Sequence, residues 1–134
     1  MFEPTLLRIF FAGIISAVIG VMWYHPRVLG TLWMRYSGIT PETVERGARH
    51  MHVMALLALL ASMLAAYVLN VFGLAQEVFD IAGAIKLAVL SWAGLVVPAL
   101  LGTVLWEQKP VPYFLINSLY WLVALIAISI VLVF

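Results

Sequence analysis

The stretch that decides the fold runs from Gly20 to Trp33 and reads GVMWYHPRVLGTLW. It joins an apolar segment to the longest polar segment of the chain, and it holds two Trp, a Tyr, a His and an Arg. Tryptophan and tyrosine are enriched where lipid meets water, because their rings have an apolar body and a polar edge. We therefore interpret this stretch as the point where a first helix leaves a membrane.

The composition agrees with a membrane protein. Of 134 residues, 66% are hydrophobic and 10% are charged, and the mean hydropathy is +1.14. Soluble domains carry about 25% charged residues, so the solvent of this chain must be lipid. A net charge of +1 gives no reason to expect a nucleic-acid partner. The absence of cysteine excludes disulfides and thiolate chemistry.

Four segments are long and apolar enough to cross a bilayer, which takes about 20 residues per helix. The sequence therefore predicts an all-α membrane protein with a single domain over residues 1–134. The transmembrane helices are expected at about 6–23, 41–72, 81–106 and 113–134. Because the second and third connections are short, adjacent helices should form antiparallel hairpins.

The first connection has helical signals of its own. Apolar residues between Arg27 and Gly38 recur at helical spacing, which predicts a short interfacial helix. Thr40 and Pro41 then form a helix start, with Thr40 as N-cap and Pro41 at the first helical position. Since no strong breaker follows until Gly73, we expect one continuous helix to project from the membrane into the first connection.

Two further patterns concern packing inside the membrane. Pro98 lies within the third segment and removes the donor to the Gly94 carbonyl, so a kink is expected there. Small residues recur at four-residue spacing, which lets helix backbones approach closely. These stripes are Ala12, Ser16 and Gly20 in the first helix, and Ala58, Ser62 and Ala66 in the second.

The basic residues set the expected orientation. Five lie in the first and third connections, and these are Arg27, Arg35, Arg46, Arg49 and Lys109. Arg8 and Lys86 belong to the opposite side, where long side chains can reach the headgroups. Because cytoplasmic loops carry the excess of Lys and Arg, both termini are expected outside the cytoplasm.

Two separated parts of the chain carry a resemblance to a known family. The first is Trp23-Tyr24-His25-Pro26, followed by Leu29-Gly30 and Trp33. The second is Leu105-Trp106-Glu107 with Pro110, and then Phe114-Leu115-Ile116-Asn117-Ser118-Leu119-Tyr120. In this order they resemble the signatures of small bacterial membrane proteins grouped as domain of unknown function 1761. His25 stands where that family usually has serine, and Trp106 where it often has phenylalanine.

This resemblance covers nearly the whole chain and implies a multi-pass protein of the bacterial inner membrane with four transmembrane helices. It brings no established activity. The residues that it singles out are candidates for a structural or ligand-binding role, and they are Trp23, Tyr24, Pro26, Trp33, Trp106, Glu107, Pro110 and Asn117. An aromatic belt is the ordinary explanation of the rings, and a pocket for an apolar ligand is the alternative.

Polar side chains at this depth are unfavourable unless they are paired. We therefore expect Asn117 or Glu107 to make at least one hydrogen bond or ion pair to residues Trp23–Trp33. Such a contact would hold the first connection against the third.

The three histidines are weak candidates for a metal or haem site. His25, His50 and His52 fall near the same interface, and histidine is the commonest metal ligand. However, His50 and His52 are two residues apart on the expected helix, so their side chains point about 200° away from each other. We predict no metal, no cofactor and no catalytic residue, and consider bound lipid possible.

The sequence supports three functions from different classes. The first is a protein that acts by association, as a homo-oligomer or an accessory subunit of another membrane protein. The second is a small oligomeric transporter or channel, for which the supply of polar residues is Asn70, Ser91, Asn117 and Ser129. The third is a membrane enzyme or cofactor carrier using the histidines and Glu107. The absence of phosphate-binding, nucleophile-elbow and zinc-protease motifs favours a non-enzymatic role but leaves an enzyme open.

The orientation is tested with a reporter fused after Phe134. Because five basic residues lie in the first and third connections and two near the other end, the fusion should give a periplasmic signal. A cytoplasmic signal from this fusion, with a periplasmic signal from a reporter inserted after Gly38, would reverse the assignment.

Overall fold

The computed structural model describes residues 3–133, with side chains described from Thr5 to Val133. Four helices in this part of the chain are long and apolar enough to cross a membrane. They are α1 (Glu3–Trp23), α4 (Met51–Ala75), the pair α5 (Ile81–Ser91) and α6 (Val97–Leu105), and α7 (Val111–Val133). The predicted all-α fold with four membrane-length helices is confirmed, although Phe134, included in the predicted last helix, lies outside the described residues.

The first connection is helical, as the spacing of its apolar residues predicts. A π turn (Pro26–Gly30) leads into the short helix α2 (Thr31–Ser37), and Gly38 ends α2 with a left-handed φ of 75°. Helix α3 (Pro41–Arg49) follows. The predicted cap is present, since the Thr43 N–H donates to the Thr40 hydroxyl at 3.3 Å.

The prediction of one continuous helix over 41–72 is wrong at a single residue. His50, with φ −114° and ψ 24°, separates α3 from α4, and α4 ends at Ala75. The His50 N–H donates to the Gly47 carbonyl three residues back, at 3.1 Å, which tightens the last turn of α3. Four of the nine residues of α3 are charged and none of α4 is, so the break separates the polar helix from the segment that lipid can surround.

Helix α7 lies at the centre of the bundle, in contact with α1, α4, α5 and α6. Its Ala124 and Ile128 are fully buried, together with Ala12 of α1, Ala66 of α4 and Ala88 of α5. These alanines let the backbones approach closely around the larger Ile128. Ala12, Ser16, Ser62 and Ala66, from the two predicted stripes, are thus buried within one copy of the chain.

The third span contains a π turn, Trp92–Val96, between α5 and α6. Here the Val97 N–H donates to the Trp92 carbonyl five residues back. The irregularity therefore begins before Pro98, which lies at the second position of α6 and has no N–H to donate. The sequence predicts a disturbed helix at the right place, and the structure accommodates the proline with a wider turn.

Candidate functional site

The first connection begins with the π turn Pro26–Gly30, which is closed by hydrogen bonds to the His25 carbonyl. That oxygen accepts hydrogen bonds from the N–H groups of Val28, at 2.8 Å, and Gly30, at 3.0 Å. The His25 Nδ1 atom accepts from the Arg27 N–H at 3.1 Å, so the ring caps its own turn. Gly30 is buried against the backbone, and a Cβ atom there would collide with the carbonyl of Tyr24. Only glycine fits this close approach.

The residues just before this π turn hold it to α7. The Trp23 indole N–H donates to the Ile116 carbonyl at 3.0 Å, and the Tyr24 hydroxyl donates to the Asn117 side-chain oxygen at 2.7 Å. The predicted hydrogen bond between Asn117 and the stretch Trp23–Trp33 is therefore present. These two bonds join the end of α1 to the first turns of α7, across 93 residues of sequence.

Aromatic rings extend this contact to α2. Trp33 lies edge-on to Tyr24 with ring centroids 5.7 Å apart, and it stacks on Tyr113 at 6.4 Å. The Lys109 ammonium lies 5.7 Å from the centre of the Tyr113 ring and donates to the Ser37 carbonyl at 2.6 Å. The third connection thus holds the C-terminal end of α2. We call Trp23, Tyr24, Trp33, Lys109, Tyr113 and Asn117 the interfacial cluster.

Burial keeps the Tyr24 hydroxyl protonated. Desolvation raises its pKa well above the usual value of about 10, and the neighbouring Tyr120 and Tyr113 raise it further. The phenol is therefore a hydrogen-bond donor throughout the physiological pH range, and the bond to Asn117 does not titrate there. For the same reason Tyr24 is a poor candidate for a nucleophile or a general base.

A second polar network lies deeper in the bundle and was missed from the sequence. The Tyr120 hydroxyl donates to the Ser16 carbonyl at 3.1 Å, and the Ser62 hydroxyl donates to the Ser16 hydroxyl at 3.2 Å. The hydroxyls of Ser16 and Tyr120 are 3.3 Å apart. Both serines and Tyr120 are buried, so this network joins α1, α4 and α7 where lipid offers no partner. In the sequence, the four-residue spacing identified Ser16 and Ser62 only as small residues that allow close helix packing, and it gave no sign of their hydrogen bonds.

The remaining predicted site residues lie around the cluster. Pro26 opens the π turn, and its carbonyl accepts from the Thr31 hydroxyl at 2.8 Å. Pro110 lies before α7, with its carbonyl bound to the Tyr113 N–H at 3.0 Å. Trp106 is 83% exposed and Glu107 is also exposed. The predicted bond to Trp23–Trp33 is therefore made by Asn117 and not by Glu107.

The histidines lie apart in the first connection and the start of α4. His25 caps the first π turn, His50 separates α3 from α4, and His52 is an exposed residue of α4. Within residues 3–133, no group of three His, Asp or Glu side chains could hold a metal ion. The hydrogen bonds of the interfacial cluster join neutral groups, apart from that of Lys109. Such an arrangement fixes the first connection in place and offers no activated nucleophile.

Comparison with known proteins gives one result. Residues 7–133 match the family described as protein of unknown function (DUF1761). Searches of the curated proteins and of the solved structures returned no match.

Replacing Gly30 by alanine tests whether the π turn Pro26–Gly30 positions the interfacial cluster. The new methyl group would collide with the Tyr24 carbonyl, and overpacking of this kind typically costs about 1–3 kcal/mol. We expect a clear fall in thermal stability in detergent, measured by intrinsic fluorescence. The matched control is Gly47→Ala in α3, where the added carbon meets nothing within 4 Å. Equal stability of the two variants would contradict the assigned role of Gly30.

Proposed function

The chain belongs to the family described as protein of unknown function (DUF1761), and from that premise we propose that it works by association with a second copy of itself. It is a multi-pass membrane protein with four candidate spans. Because the family description assigns no activity, the proposal is derived from the surface of the bundle. The observation that carries it is a backbone carbonyl on an exposed face of the third span that lacks both of its usual helical donors.

This carbonyl belongs to Ala93. The residue four ahead, Val97, donates its N–H to Trp92 instead, and the residue five ahead is Pro98, which has no N–H. Ala93 and Gly94 are both exposed. An unpaired backbone group in the hydrocarbon costs several kcal/mol, so a donor from outside this chain would stabilise the π turn.

The depth of the carbonyl favours a protein donor. Ala93 is 12 residues from each end of the 25-residue span Ile81–Leu105, which places it roughly 18 Å along the helix from either end. The bilayer core is about 30 Å thick, so water and headgroups lie far from this oxygen. Lipid tails have no donors, and another transmembrane helix does.

A second copy of the chain can bring its own third span close to this carbonyl. Around a two-fold axis along the membrane normal, the same span would face itself at equal depth. Gly94 leaves room for close approach, because nothing in the chain lies within 4 Å of its Cβ position. The third span is also the least covered, since Ala84 and Ala88 are its only buried residues.

The proposal includes a location in the bacterial inner membrane with both termini outside the cytoplasm. The distribution of Arg and Lys supports this orientation. The interfacial cluster and the charged helix α3 would then lie on the cytoplasmic side.

The alternative function, a channel formed by several copies around a shared axis, has less support, because it requires polar side chains that face that axis. Asn117 is bound to Tyr24, and Ser129 is 3% exposed inside the bundle. Neither side chain faces outward toward another copy.

The variant Gly94→Leu tests the association. Its Cβ atom would meet no described atom beyond the helix's own backbone within 4 Å, and the rest of its side chain would block close approach of a second copy. Native mass measurement in mild detergent should show a dimer of the wild-type protein. The variant should be at least about tenfold weaker in association, equivalent to ~1.4 kcal/mol.

The matched control is Ala61→Leu, which adds bulk at an exposed position of α4 and should leave the dimer intact. A monomeric wild-type protein would contradict the proposal, as would equal dimerisation of both variants. A complex containing only a different membrane protein would instead favour an accessory subunit and overturn self-association.

A further inference from the structure

We propose that a cavity at the end of the bundle where α1 begins and α7 ends binds an anionic phospholipid. The cavity has a volume of about 170 Å³ and is lined by residues of α1, α4, α5 and α7. Its phosphate-binding group is Arg8, and its donor to a lipid ester carbonyl is Ser129. This site lies at the opposite end from the interfacial cluster, and the inference does not depend on the association proposed above.

Ser129 is the observation that points to a ligand. Its side chain is 3% exposed, and its hydroxyl has no hydrogen-bond partner in the described part of the chain. Leaving a buried hydroxyl unpaired is unfavourable, yet the residue lines a cavity large enough for a partner to enter. A serine hydroxyl can donate to any acceptor that reaches it, and a lipid ester carbonyl is an acceptor.

Arg8 gives the cavity its charge. It is exposed at the cavity wall, and among residues 5–133 the lining includes no Asp or Glu. The planar guanidinium presents paired N–H donors that match the oxygens of a phosphate. Asn70, half-buried in the same wall, adds an amide with two more donors. A site with one cation and several neutral donors favours an anionic amphiphile over a zwitterionic one.

Arg8, Asn70 and Ser129 lie at similar depths near one end of the bundle, where a phospholipid places its phosphate and ester groups. Asn70 lies five residues before the end of α4, and Ser129 lies four before Val133, which corresponds to about 6–8 Å along each helix. Arg8 has a long side chain that can reach outward from its helix to the phosphate level. Phosphate, ester carbonyl and acyl chain would then meet, in turn, a cation, a hydroxyl donor and an apolar wall.

The size of the cavity suits part of a lipid. An apolar cavity of about 150 Å³ admits a molecule the size of benzene, so this one has room for the ester group and the first methylenes of a chain. The first methylenes would lie against Leu69 and Leu87, two lining residues farther from this end of the bundle, and the rest of the acyl chain would continue toward the middle of the membrane. Lipid is the solvent around this surface and is therefore always available to fill it.

The test uses the full chain, purified in mild detergent and depleted of lipid. Native mass spectrometry would measure its binding to phosphatidylglycerol, phosphatidylethanolamine and oleate in separate titrations. We expect phosphatidylglycerol to bind at least about tenfold more tightly than phosphatidylethanolamine, corresponding to ~1.4 kcal/mol. Arg8→Gln should abolish this preference, and Ser129→Ala should weaken both phospholipids several-fold while preserving the preference.

Lys86→Gln is the matched control, since Lys86 is an exposed cation of α5 near the same end of the bundle but does not line the cavity. It should bind phosphatidylglycerol like the wild-type protein. A preference that survives Arg8→Gln, or falls equally in Lys86→Gln, would overturn the site. Oleate bound as tightly as phosphatidylglycerol would show a fatty-acid site instead. Unchanged phospholipid binding by Ser129→Ala would show that water, and not lipid, satisfies the serine.

Discussion

The hydrogen bond from the Tyr24 hydroxyl to Asn117, 2.7 Å long, is the interaction on which the cytoplasm-facing end of the proposed arrangement depends. It closes the loop between the end of α1 and the start of α7, and it pairs two polar side chains that lipid could not satisfy. With Tyr24 fixed, Trp33 can pack against its edge and stack on Tyr113. Beside this contact, Gly30 packs against the Tyr24 carbonyl, and Lys109 binds the last carbonyl of α2.

Because lipid offers no hydrogen bonds, each polar group inside the bundle needs a partner from the protein or from a bound molecule. Deeper in the bundle, Ser16, Ser62 and Tyr120 satisfy one another. Three groups remain without a partner in the described chain, namely the Ala93 carbonyl on an exposed face, the Ser129 hydroxyl in a cavity and the Trp33 indole N–H inside the interfacial cluster. The first two require different partners because their depths differ. The first lies at the middle of the membrane, where a protein helix is the available donor, and the second lies within reach of lipid esters.

The sequence predicts well whatever depends on transfer between water and lipid or on local hydrogen bonds. Hydropathy places the four spans, and the predicted cap at Thr40 is formed. Prediction from the sequence fails where a single backbone angle or a contact between distant residues determines the local structure. The break at His50 and the π turn before Pro98 are such cases. The contact of Asn117 was predictable because a buried amide must find a partner near its own depth.

A double-mutant cycle between Tyr24→Phe and Asn117→Leu tests the central claim most directly. Tyr24→Phe keeps the ring that packs on Trp33 and removes only the hydroxyl, so the cycle isolates the hydrogen bond. The free energies of unfolding of the wild-type protein, both single variants and the double variant would be measured in the same detergent. We predict an interaction energy of about 1 kcal/mol or more, within the range found for residues in direct contact. Effects that add to within about 0.3–0.5 kcal/mol, as for independent sites, would contradict the account.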